Sequence, residues 1–91
     1  MNNDFYQSFG PEEAAEIERL SRLIYELRQN RARLLLPYEV CHENDLMSRI
    51  LDGKVDEHPA YDHYLSARIL ADTCESVRIA LAARLKRERA A

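Results

Sequence analysis

Glycine is nearly missing from this chain. Gly10 and Gly53 are the only two among 91 residues, which excludes a glycine-rich loop that cradles phosphate and disfavours tight β-turns. Tryptophan is absent, and Cys41 and Cys74 are too few for a disulfide framework. Both are expected to stay reduced. Long apolar runs are missing too. The longest, Ile79 to Ala83, falls far short of the roughly 20 residues that span a membrane. Met1 to Gly10 lacks the basic start and apolar core of a secretory leader. The expectation is a soluble, cytoplasmic protein. An excess of positive charge is also lacking: 13 Lys and Arg stand against 16 Asp and Glu, a net charge of −3. That argues against a general binder of nucleic acid or anionic membrane.

What the chain does have is helical period. Ile17, Leu20, Ile24, Leu27 and Leu34 recur at alternating three- and four-residue steps, with Arg31 in the one slot that should be apolar. A second stripe runs through Leu70, Cys74, Val77, Leu81 and Leu85. Gly10-Pro11-Glu12-Glu13 is a good helix start, because proline needs no donor in the first turn and acids suit the positive dipole end. Pro37 interrupts the first helix with no Gly, Ser or Asn beside it, which predicts a kink rather than a full reversal. Asp52-Gly53 stops the second helix, Lys54 to His58 forms a loop, and Pro59 opens the last helix. The predicted organisation is an N-terminal arm over 1–10, bearing Phe5, Tyr6 and Phe9, then one helical domain over 11–91. Its helices cover about 11–36, 38–52 and 59–88.

The fold class that follows is all-α: a long kinked helix folded back on a long last helix, a helical hairpin or three-helix unit. An antiparallel pair closes no core by itself, so two copies are expected to form a four-helix-type bundle. A compact three-helix bundle is the alternative, but it brings basic ends together, Arg28, Arg31 and Arg33 with Arg84 to Arg89. The acids concentrate elsewhere, at Glu39, Glu43, Asp45, Asp52, Asp56, Glu57 and Asp62.

Chemistry is harder to find. Glu39, Cys41, His42, Glu43, His58, Asp62 and His63 are metal-capable and gather around the second helix and the loop. Cys41 and His42 are adjacent and His58 and His63 are five apart, spacings that point those pairs away from a shared face; within this set Glu39 and His42 are the one i,i+3 carboxylate–histidine pair. Cys41 has His42 adjacent, which points the imidazole away and leaves the thiol without an activating base. The expectation is no metal, no cofactor and no catalytic residue. Arg31 can fix register by pairing with a carboxylate or line a cavity for an anion. In outline, a short three-helical chain with Arg28, Arg31 and Arg49 is similar to small all-helical chorismate mutases. The lysines, Lys54 and Lys86, fall in the loop and near the terminus, and the last helix has no Gln, so the likeness is one of architecture without a motif.

Partner binding is the class that these features favour. The expectation is a non-enzymatic interaction module: an adaptor, assembly factor or regulator acting through helix-groove or bundle-face contacts. Self-association is expected through Ile17, Leu20, Ile24, Leu27, Leu70, Cys74, Val77 and Leu81. A second surface, for an unidentified protein, is expected at Tyr61, Leu65 and Ile79, which project behind the last helix. Two alternatives stand beside this reading: a Rop-like helical dimer binding RNA through its arginines, and a small helical enzyme or sensor for an anionic ligand or metal.

Overall fold

The computed structural model describes residues 9–90 of the chain, with side chains to residue 86. Over the described residues it is 86% helical and contains no strand. Helix α1 spans Pro11–Leu35, a 3-10 turn follows at Leu36–Tyr38, α2 spans Glu43–Leu51, and α3 spans Glu57–Ala90. The chain is a helical hairpin, in which the bent first arm packs along α3. Of the predicted N-terminal arm, Phe5 and Tyr6 lie outside the described residues.

Local chemistry sets the ends. Gly10 is extended before Pro11, and Glu12 and Glu13 occupy the first turn of α1. The break after α1 is longer than the kink expected at Pro37. The chain tightens into the 3-10 turn, Glu39 adopts a left-handed conformation (φ 56), and residues 39–42 leave the helical path. The second helix therefore starts at Glu43 and not at residue 38. Its N-cap is His42, whose Nδ1 accepts a hydrogen bond from the Asn44 N–H at 3.1 Å. The ring nitrogen fills the place usually taken by a Ser, Asp or Asn oxygen. At the far end Gly53 is left-handed (φ 74). The Gly53 N–H donates to Ile50 O at 3.0 Å and the Lys54 N–H to Arg49 O at 2.9 Å, the paired bonds of a Schellman cap. In α3, His58 keeps non-helical angles, so regular geometry begins at Pro59, as the sequence predicts.

The helices α1 and α3 are antiparallel. Arg84 Nη2 lies 3.8 Å from Glu16 Oε2 near one end, and Leu35 joins Ala67 in the core at the other. The densest packing sits at this elbow, where Leu35, Leu46, Ala60, Tyr64 and Ala67 form one buried cluster ringed by Leu34, Tyr38, Val40, Met47, Ile50 and Val55. Ala60 and Ala67 matter because small side chains let the bent arm approach α3 closely. Burying a leucine such as Leu46 contributes about 1.5–3 kcal/mol. Among the described residues away from the elbow, only Ile17 and Ile24 are buried. The chain is accordingly long and thin, 54 × 23 × 17 Å, and not the compact three-helix alternative.

Candidate interaction surfaces

The heptad positions separate the two flanks of the hairpin. With Ile17 and Ile24 at a, Leu20, Leu27 and Leu34 fall at d and Leu35 at e. In α3, Ala60, Ala67, Cys74 and Leu81 take a, Leu70 and Val77 take d, and Tyr64 takes e. The buried side chains are Ile17, Ile24, Leu35, Ala60, Tyr64 and Ala67, all at a or e. The d residues Leu20, Leu27, Leu34, Leu70 and Val77 are only half-buried. Beyond them, the g residues Leu23, Ser66, Thr73 and Ala80 are exposed. In an antiparallel pair the g flanks of both helices lie on one side and the e flanks on the other. The contact between α1 and α3 is therefore rolled toward the e side, where α2 caps the elbow, and the d/g side is left open.

On the inner face, Arg28, Arg31, His42, Glu43, Glu75 and Arg78 line a cleft of about 180 Å³ between α1, α3 and the start of α2. Glu43 is buried, and its Oε1 accepts from Arg31 Nε and Nη2, each at 2.7 Å. Arg78 binds Glu75 in a fork, Nε to Oε1 at 3.0 Å and Nη2 to Oε2 at 2.7 Å. The hydrogen bonds and charge from Arg78 hold the Glu75 carboxyl below its ordinary range, and Glu75 raises Arg78 in return. Two of the three guanidiniums are thus tied to carboxylates: the Arg31 pair joins α1 to the start of α2, and the Arg78 pair stays within α3. At the elbow, Tyr38 Oη and His63 Nδ1 share a 2.6 Å hydrogen bond, and Arg49 Nη1 donates to Tyr38 O at 2.9 Å.

This geometry can be set beside known proteins. Residues 12–87 match the model of the Uncharacterized protein MJ0235 family. The chain belongs to that family. The match covers all of α2 and nearly all of α1 and α3, so the family's shared unit is the whole hairpin with its elbow. No curated protein and no solved structure matches the chain.

Within this MJ0235-family hairpin the candidates read from sequence are dispersed. The proposed self-association set divides: Ile17 and Ile24 are buried inside one copy, whereas Leu20, Leu27, Leu70, Cys74, Val77 and Leu81 are half-buried. Tyr61, Leu65 and Ile79 are exposed at 42, 38 and 57%. Ile69, exposed at 64%, extends that surface and was legible from its i+4 step after Leu65. Among the described residues, no group of three or more His, Cys, Asp and Glu is placed to hold a metal ion. His42 is engaged as a cap, His63 with Tyr38, and Cys41 is exposed. Arg28 and Arg31 share the cleft, while Arg49 braces the 3-10 turn instead. Glu43, the buried partner of Arg31, was missed; the signal for it was the arginine in an apolar stripe, which demands a carboxylate. No described helix is long and apolar enough to cross a membrane.

Proposed function

We propose that this chain is a protein-interaction module, in which the elbow core holds α3 rigid so that its outer face can recognise a partner. The observation that supports this reading is the surface of Tyr61, Leu65 and Ile69. These side chains are exposed at 42, 38 and 64%, one turn apart, on the side of α3 opposite buried Ala60 and Ala67. The rings of Tyr61 and Tyr64 stack with centroids 6.1 Å apart, which ties the surface to the core. Asp62 and Asp72 are exposed near its two ends, with one exposed cation, Arg68, between them. The partner that fits is an amphipathic helix with Lys or Arg beside its apolar stripe. Ile79, farther along α3, lengthens the same contact.

Site-specific photocrosslinking in host cells tests this. A crosslinker at Leu65 or Ile69 is expected to capture one discrete heterologous protein, and one at exposed Arg22 is not. Leu65→Asp should abolish capture from Ile69 while the helical circular dichroism is unchanged. Adducts as frequent at Arg22 as at Leu65 would sink the reading.

A further inference from the structure

The open flank of the hairpin has one occupant whose shape is written in this chain. We infer that a second copy packs there, with α1 of each copy lying on α3 of the other in an antiparallel four-helix arrangement. The inference rests on the interaction-module reading and uses a different face.

The two helices present unlike edges on the open side. That of α1 is bulky, with Leu20, Leu27 and Leu34 half-buried and Leu23 exposed at 38%. The edge of α3 is small and uncharged from residue 66 to 83. Ser66, Thr73 and Ala80 repeat every seven residues, with Ser76 and Ala83 in the adjoining row. All five are exposed. A charge-free strip of about five turns on a chain that is 32% charged is the mark of a packing face. Large side chains need holes and small ones provide them, so α1 fits the α3 of another copy. Pairing α1 with α1 would crowd leucine on leucine, and pairing α3 with α3 would leave gaps.

The hairpin fixes the register. Glu16 lies level with Arg84 and Leu27 shares a cleft with Leu70 and Cys74, so Leu23 stands level with Val77. A two-fold axis along the hairpin preserves these levels. It seats Leu23 of one copy between Thr73 and Ala80 of the second copy. The paired length from Glu16 to Leu35 is about 29 Å, and two helices are about 20 Å across. The face is then of the order of 600 Å², near the roughly 800 Å² that each partner gives to a standard interface. The interface would also finish burying Leu20, Leu27, Leu70 and Val77, which a single copy leaves partly wet.

Light scattering with crosslinking tests this. The wild type should have twice the 10.6 kDa chain mass. Leu23→Glu and Ala80→Glu change exposed positions, and each should give a monomer with unaltered helical content. In a Cys41→Ser, Cys74→Ala background, mixing Leu23→Cys chains with Ala80→Cys chains should yield a disulfide-linked pair, and Leu23→Cys alone should not. A monomeric wild type, a dimer that survives both Glu variants, or Leu23→Cys crosslinked to itself would overturn the inference. Leu65→Asp should leave the dimer intact. Photocapture at Leu65 by a monomeric wild type would therefore defeat the pairing while leaving the partner surface standing.

Discussion

Arg31 and Glu43 meet across the break between α1 and α2, with two guanidinium nitrogens each 2.7 Å from one carboxylate oxygen. The carboxylate side chain is only 8% exposed and the arginine 25%. This pair explains why the apolar stripe of α1 tolerates a charge. A buried carboxylate needs donors, and those donors come from the helix against which α2 must dock. Arg31→Leu completes the apolar stripe yet orphans Glu43. It should cost about 1–3 kcal/mol, read from urea unfolding. The double variant Arg31→Leu with Glu43→Leu should recover most of that loss, because an apolar pair of similar volume often replaces a buried ion pair without penalty. Additive losses in the double variant would show that the two residues are not coupled.

Leu46 carries the elbow. It is fully buried and touches the cluster that joins all three helices. Leu46→Ala should destabilise the chain by about 2–5 kcal/mol, the range for leucine truncation in a packed core. Leu51, five residues on in the same helix, is 78% exposed, and Leu51→Ala should change stability by less than about 0.5 kcal/mol. Thermal melts of the pair separate burial from mere hydrophobicity. Equal losses would place the core elsewhere.

Two left-handed residues bracket α2, and only one is glycine. Gly53 has φ 74 with open space where a Cβ would stand, so Gly53→Ala meets backbone strain and no clash. The expected cost is about 1–2 kcal/mol. Glu39, with φ 56, already bears that strain. Glu39→Gly should relieve it and be neutral to mildly stabilising, against the usual direction for glycine. Chemical denaturation of both variants checks the opposed signs.

Much of this fold can be read from the sequence, for physical reasons that differ by element. The stripes through Ile17 and Leu70 specify long helices because periodicity is a property of the chain itself. Gly10-Pro11, Asp52-Gly53 and Pro59 mark ends through chemistry local to a few residues. The 39–42 break was not legible, because its devices are a left-handed glutamate and a histidine cap, and neither residue type signals its role. Burial was not legible either. The repeat showed which residues share a stripe, but the roll of α1 toward the e flank depends on where α2 docks. That roll separates buried Ile24 from half-open Leu27, although both belong to one stripe. The chemistry of the cleft depends on contacts between residues 12 apart, Arg31 and Glu43, which no local pattern reports.

The acid side of the cleft yields a pH test. Arg78 lowers the Glu75 carboxyl below its ordinary value by hydrogen bonding and charge. A group whose folded value is depressed binds a proton less readily in the native state than in the unfolded chain. Its stabilisation is therefore full above the unfolded carboxylate value, about 4.3, and is lost as pH falls through the lower folded value. Both side chains are more than half exposed, so water and salt screen the pair and the effect is small. Glu75→Gln should be slightly less stable than the wild type at neutral pH. The difference should shrink with added salt and vanish once acidification has protonated Glu75 in both states. Melting curves of the two proteins across that range test the sign. A gap that widens on acidification would mean that Glu75 is held in its neutral form, and that Arg78 turns elsewhere in solution.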